Sequence, residues 1–251
     1  MEGSSVCRIL GIPIAVGKRD EIFEKVDSLV GIGGVVCTPN PLILSNSLKN
    51  PSLRRALLSA SLCVADGSGL LPYLRRIDRA CEVCPGVELG KWLVCQGEGI
   101  TLGIVGGVRG VAEAAFSALS REAENLRSAF LLDGYETPLS ELLSLVCKTK
   151  PAVVFVCLGS PKQEILMQTL RSYSPKTLFL GLGGSLDVYA GRVRRAPRVM
   201  RRLHLEWLYR MLREPRRFLS LPDLLRFPFL YNNYREENNN FTKNATARAE
   251  N

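Results

Sequence analysis

The chain has no apolar run near the roughly 18 residues that span a bilayer. Its longest candidates, such as residues 152–158, stop at a glycine or a charge. No membrane-spanning helix is therefore expected. The N-terminus has no basic leader, carries Glu2, and breaks its short apolar stretch with Pro13. It reads as a poor export signal, so the expectation is a cytoplasmic protein with at most peripheral membrane contact. There is one histidine, His204, no Asp-x-Asp pair, and a single Cys-x-x-Cys at Cys81 and Cys84. A zinc site needs about four ligands, so no metal site is expected. The eight cysteines follow no framework and several sit in apolar runs, which suits reduced thiols acting as small hydrophobes. One further absence is local: between Arg192 and Arg235 there is no lysine.

That lysine-free stretch holds 12 arginines against Glu206, Glu214 and Asp223, a balance of +9 that equals the formal charge of the whole chain. The remaining residues are neutral in sum. The guanidinium fork suits phosphate oxygens and keeps its charge near a membrane. Trp207, Tyr209, Phe218, Phe227, Phe229 and Tyr231 are interleaved with the arginines, a mixture that fits a lipid interface. Nucleic acid, anionic headgroups and a diphosphate substrate are all candidate partners. The spacing predicts a helix over 198–213 with Met200, Leu203, Trp207 and Met211 on one apolar stripe. Pro215, Pro222 and Pro228 are expected to divide the chain beyond that helix into short pieces. The asparagine-rich residues 236–251 read as a disordered tail.

Ahead of residue 192, short β-rich runs alternate with helical patterns, which predicts a parallel sheet with crossover helices. Strands are expected at 34–38, 62–65, 101–105, 129–132, 152–158 and 177–181. Helices are expected at 109–126, 138–148 and 161–173. The organisation predicted is a Rossmann-like α/β body over 1–191, a helical basic appendage over 192–235, and the tail. In such sheets ligands bind outside the carboxyl ends of the strands, and the loops there hold small and polar residues. Gly106 and Gly107 follow one strand and can bring backbone N–H groups to a phosphate at a helix start. Asp133, on the next strand, keeps a nicotinamide-binding reading open. Gly159, Ser160, Lys162 and Gln163 open another helix, where the cation and the amide could reach a nucleotide or sugar. Gly183, Gly184 and Asp187 follow the last strand. Asp66, in Ala-Asp-Gly-Ser-Gly, is either a turn or cap residue or a general base at the sheet edge.

Taken in order, Thr38-Pro-Asn40, Ala65-Asp-Gly-Ser-Gly69, Gly159-Ser-Pro-Lys-Gln-Glu164, Gly183-Gly-Ser-Leu-Asp187, Gly191, Arg195-Ala-Pro197, and Leu205-Glu-Trp-Leu-Tyr-Arg210 followed by Glu214-Pro-Arg-Arg217 resemble the WecG/TagA/CpsF family of bacterial glycosyltransferases over roughly residues 9–229. The resemblance implies an inverting, metal-independent transfer, with no cofactor, from a UDP-sugar to a polyprenyl-diphosphate-linked sugar in cell-surface polymer synthesis. The sugar implied is N-acetylmannosamine and the acceptor undecaprenyl-diphosphate-GlcNAc. It implies a catalytic role for Asp66 with Thr38 and Asn40 beside the sugar. It also implies an arginine-rich appendage that closes over the site at the cytoplasmic face of the membrane. Arg210, Arg213, Arg216 and Arg217 are the candidate diphosphate contacts. Phe218, Leu219, Leu221, Leu224, Leu225, Phe227 and Phe229 are expected to enter the lipid. The expected partners are donor, acceptor and an anionic membrane surface, with a homo-oligomer allowed and nucleic acid excluded. Two positions depart from the family pattern: Glu88 stands where aspartate is usual, within a stretch that lacks an arginine, and His204 replaces a common glycine. The first leaves a UDP-glucose-type hexosyltransferase of exopolysaccharide synthesis as an alternative. A non-enzymatic nucleotide- or nucleic-acid-binding module is the other.

Overall fold

A computed structural model describes the backbone of residues 6–249 except Glu98 and Glu214; the side chains of 215–217 and 236–249 lie outside the description. The strands β1 (Val6–Ile9) and β2 (Ile12–Ala15) form an antiparallel hairpin. Its two-residue turn, Leu10-Gly11, has both φ angles positive at 50° and 80°. Such turns usually advertise themselves with Asn, Asp or Gly at the first position. Leucine there hides the hairpin from a sequence reading, which did not predict it.

The chain then alternates through α1 (Arg19–Asp27), β3 (Gly34–Cys37), α2 (Pro41–Lys49), α3 (Pro51–Leu58), β4 (Leu62–Cys63), α4 (Leu71–Leu74), α5 (Gly86–Gln96), β5 (Thr101–Gly106), α6 (Val111–Leu119), β6 (Arg127–Leu132), α7 (Leu139–Thr149), β7 (Val153–Cys157), α8 (Lys162–Tyr173), β8 (Leu178–Gly181) and α9 (Ser185–Tyr189). The six strands from β3 to β8 form one parallel sheet in the order β4-β3-β8-β7-β5-β6. All six match the strands expected from sequence. Helices cover both faces, as a parallel sheet requires.

Alternate strand residues feed the two cores. Val35, Val154, Val156 and Phe179 face the layer of α2, α3, α7 and α8. Val36, Val153, Phe155, Leu178 and Leu180 face α1, α5, α6 and α9. The period of two follows from the pleat. Six of the eight cysteines are buried within these layers. From β5 the chain moves outward to β6, whereas from β7 it moves the other way to β8. The carboxyl ends of β5 and β7 therefore flank a topological switch point, where a ligand crevice opens.

Past α9 the alternation ends, as expected. The single helix expected over 198–213 is instead two, α10 (Arg198–Arg202) and α11 (Glu206–Arg213). The break is His204, which has φ 61°. Left-handed backbone costs a non-glycine residue about 1 kcal/mol or more, and the helical stripe cannot run through it. Of the expected stripe, Met211 is buried while Leu203 and Trp207 are exposed. Ser68 Oγ donates to the His204 carbonyl at 2.9 Å, fixing this bend against the loop after β4. His204→Gly should keep the bend and the fold. His204→Val should lower stability by about 1–2 kcal/mol, because a β-branched side chain is a strong outlier there. Thermal denaturation of the two variants measures the difference.

A 3₁₀ turn (Pro215–Ser220) leads into α12 (Leu221–Ala249), one helix where short pieces were expected. Pro222 falls in its first turn, where no intrahelical N–H is needed. Pro228 lies inside it and removes one backbone bond. Tertiary packing compensates. Phe227 is 2% exposed and meets the Tyr73 ring edge-on at 5.2 Å, and Tyr231 lies 4.4 Å from the same ring. Arg76 stacks on both tyrosines, and Asp223 pairs with Lys49 of α2 at 3.7 Å. Phe227 thus belongs to the core and not to a lipid-facing surface, a correction to the sequence expectation. Leu221 and Leu224 are half-buried, whereas Leu219 (84%) and Phe229 (72%) point to solvent. The backbone stays helical to Ala249 through the segment expected to be disordered. Extending a helix already nucleated by docked turns costs far less than starting one.

Candidate active site

Two clusters form at the carboxyl edge of the sheet. The first lies beyond β3 and β4. Thr38 is buried, and its hydroxyl donates to the Gly181 carbonyl at 2.7 Å, tying the end of β3 to the end of β8. Asn40 caps α2, its Oδ1 accepting from Ile43 N at 3.0 Å. Asp66 N donates to the Pro39 carbonyl at 3.0 Å, which sets the Asp66 loop beside Thr38-Pro-Asn40. The three residues expected to act together are therefore neighbours.

Asp66 is half-buried as a residue, but its carboxylate lies in packed surroundings that dominate its proton affinity. Burial pushes its pKa up to about 6. Arg210 opposes that shift, Glu206 adds to it, and the Gly86 N–H and Arg195 oppose it more weakly. A carboxylate poised near neutrality is suited to accept a proton in a reaction.

The second cluster is an open groove of ≈ 420 Å³ at the switch point. Gly107 and Val108 line it from the turn after β5, Tyr135 from beyond β6, and Gly184, Asp187 and Val188 from α9 and its approach. Arg192, Val193 and Arg210 close it from the appendage. Gly107 has φ 69°, and an added Cβ would collide with Val111 at 2.8 Å, so the turn needs glycine to enter α6 so tightly. Gly183, with φ 50°, makes the matching turn into α9. Its N–H donates to Gln163 Oε1 at 3.0 Å.

Of the residues expected at a nucleotide site, Gly107, Gly184 and Asp187 line the groove. Gly106, Gly159, Ser160, Lys162, Gln163 and Gly183 lie at the same sheet edge but not in its lining. Gly106 pairs with Cys157 inside the sheet. Gly159 and Ser160 form the turn into α8, and Lys162 is exposed at its start. Gln163 is 2% exposed and spends its amide on Gly183 and on Glu164 Oε1 at 3.0 Å. It shapes the β8–α9 turn. Asp133 accepts from the N–H groups of Tyr135 and Glu136, and these bonds hold its pKa below the ordinary carboxylate value. Its Oδ1 thus holds the turn after β6.

Arg210 acts on both clusters: it lines the groove, and its charge counters the burial that raises the Asp66 pKa. Arg213 is exposed, and the side chains of Arg216 and Arg217 lie outside the described residues. Among the described residues no group of histidine, cysteine and acidic side chains could hold a metal ion, and no helix is long and apolar enough to cross a membrane.

A family model described as the glycosyl transferase WecG/TagA/CpsF family matches residues 7–240. The chain belongs to this family. It is thus a glycosyltransferase, and the edge-of-sheet clusters are its candidate catalytic centre. It is also similar to the N-acetylglucosaminyldiphosphoundecaprenol N-acetyl-beta-D-mannosaminyltransferase of Bacillus subtilis (strain 168), at 33% identity over 197 residues, 76% of this chain and 77% of the relative.

Sequence reasoning gave no place in the site to Glu206, Arg195 or Arg19 and met Glu88 only as a departure from the family pattern; the four form an ion-pair network, and Glu206 and Arg195 act on the Asp66 carboxyl. Its traces were the departure at Glu88, the Arg195-Ala-Pro197 motif and Glu206 in Leu205-Glu-Trp. Apart from that departure, Glu88 looks like an ordinary acid in the first turn of α5.

Proposed function

We propose that this glycosyltransferase moves N-acetylmannosamine, with inversion, from a UDP-sugar to undecaprenyl-diphosphate-linked GlcNAc at the membrane surface. The observation that carries the reading is Arg210, which joins a nucleotide-sized groove to a carboxylate of raised pKa. The named activity of the Bacillus subtilis relative supports the choice of sugar and acceptor. Asp66 takes the proton from the acceptor hydroxyl as that oxygen attacks the anomeric carbon. The bond from that carbon to the diphosphate oxygen breaks on the opposite face, and UDP leaves. Arg192, Arg210 and the N–H groups at the Gly107 and Gly184 turns oppose the charge that develops on the diphosphate. Thr38 and Asn40 border the sugar. The nucleic-acid reading gains nothing from Arg195, Arg201 and Arg210, which are paired with glutamates.

The test is UDP release from a panel of UDP-sugars with a short-chain GlcNAc diphospholipid, run with and without EDTA. UDP-N-acetylmannosamine should be used and EDTA should not matter. Preference for UDP-glucose would move the protein to the hexosyltransferase alternative, and loss of activity in EDTA would end the metal-free scheme.

Leu219, Leu225 and Phe229 face solvent on the appendage, with Leu203 and Leu212 exposed nearby in sequence. We infer that they enter the lipid interface. Serine at 219, 225 and 229 together should weaken liposome binding by at least about tenfold, at roughly 25 cal/mol per Å² of apolar surface covered. Turnover on a water-soluble acceptor should stay unchanged. Equal loss on soluble and membrane-bound acceptors would show that these side chains act in the site instead.

A further inference from the structure

Four arginines converge on two glutamates beside Asp66. Glu88 of α5 receives Arg19 Nη1 at 2.7 Å and Arg195 Nη2 at 3.0 Å, and Arg201 Nη1 lies 3.5 Å away. These cations come from three places: the start of α1, the loop after α9, and α10. Arg195 Nη2 also reaches Glu206 at 3.6 Å, and the other oxygen of Glu206 accepts from Arg210 Nη2 at 3.1 Å. Glu88 thus ties residues 195–201 of the appendage to the body, and the chain Glu88–Arg195–Glu206–Arg210 ends at the groove. The cluster is only partly wet: side-chain exposure is 19% for Arg195, 26% for Glu88 and 22% for Glu206. The Nε atoms of Arg19, Arg195 and Arg201 are buried with no hydrogen-bond partner among the described residues. Their charge compensation therefore rests on Glu88, and removing one member of such a cluster leaves uncompensated cations.

We propose that Glu88 is a positioning residue, which seats the appendage on the body so that Glu206 presents Arg210 to Asp66 and the groove. The effect on turnover rests on the catalytic reading of Asp66 and Arg210, whereas the seating itself does not. A residue that merely stabilised the body would affect melting alone. Seating also controls access to a run of arginines, each a trypsin site, and it sets which charges face Asp66. Those groups are Arg210 and Glu206 from α11, Arg195 from the preceding loop, and the Gly86 N–H and the Cys84 thiol from the segment entering α5. Releasing the appendage removes two cations and one anion from that set.

The experiment uses the full chain as Glu88→Gln and Glu88→Asp beside wild type, with limited trypsin digestion mapped by mass spectrometry and pH–rate profiles. Glu88→Gln should be cut within residues 192–213 at least about tenfold faster, as expected for losing charged hydrogen bonds of this kind. Cleavage within the body should stay slow. Turnover should fall by about 10- to 100-fold, and the acid limb of the profile should shift, because release changes both the burial and the charges around Asp66. Glu88→Asp keeps the charge on a shorter reach and should lie between the two in all three readouts. Wild-type cleavage of the appendage in Glu88→Gln would overturn the proposal. So would an unmoved acid limb, or body and appendage becoming sensitive together. The digestion reads the seating even if no UDP-sugar proves to be a substrate. If Glu88→Gln does not fold, Glu88→Asp decides the matter, since wild-type protection and rate in that variant would also count against a seating role.

Discussion

Asp66→Asn should leave a folded protein that binds nucleotide and has lost about 10²- to 10⁴-fold in turnover, the usual worth of a positioned proton acceptor. An amide occupies the same space but cannot take the acceptor proton. In the wild type, kcat/KM should fall as the pH drops through about 6, where burial sets the Asp66 pKa. The same burial has a cost in stability. A carboxyl whose folded pKa lies above its unfolded value binds its proton more tightly when folded. Its contribution is then full below about pH 4 and lost as the pH rises through about 6. At pH 7.5 Asp66→Asn should therefore melt higher than wild type, by on the order of 1–3 kcal/mol, and the gain should vanish near pH 4. Paired melting and activity curves check both halves. A variant that keeps more than about a tenth of the turnover would show that the base lies elsewhere.

Phe227→Ala should be the most damaging single change in the appendage. The ring is buried against Tyr73, and emptying such a site costs roughly 3–5 kcal/mol. For a chain of this length that is a fall of on the order of 10 °C in Tm. Phe229→Ala, two residues on, faces solvent and should change stability by less than about 0.5 kcal/mol. The contrast is sharp because a docked helix places these two rings on opposite faces, whereas a lipid-facing segment would treat them alike. It follows that ending the chain near Arg195 should abolish transfer, by removing Arg210, and also destabilise the body by uncovering Tyr73. A sheet complete by Gly181 would by itself suggest a body that folds alone, with only transfer lost. Equal melting temperatures for the Phe227 and Phe229 variants would show that α12 is not seated on the body.

The parts legible in the sequence were those set by local rules. Apolar β-rich runs separated by helical periods marked all six parallel strands, and the small residues after them marked the edge that holds the candidate site. Asp66 stood out in a small-residue loop after an apolar strand, Thr38 and Asn40 came from the family resemblance, and the structure makes the three neighbours. What escaped depends on partners far away in the chain. The hairpin turn at Leu10-Gly11 has no turn-forming first residue. The bend at His204 is held by Ser68, 136 positions earlier. Phe227 looks like its exposed neighbours until Tyr73 is placed beneath it. Gln163 appeared ready to meet a nucleotide, yet the fold turns it inward onto Gly183. Glu88 drew notice only as a departure from the family pattern, and its pairing role needs Arg19, Arg195 and Arg201 brought around it.

The most direct test of the central claim is the anomeric configuration of the product formed from UDP-N-acetylmannosamine and a water-soluble GlcNAc diphospholipid, read by NMR for the wild type alongside Asp66→Asn and Arg210→Ala. A base at Asp66 and an arginine shared with the groove predict that wild type gives one UDP per disaccharide with inverted configuration, and that each variant loses most of that product. Retention of configuration, or full product from either variant, would contradict the account.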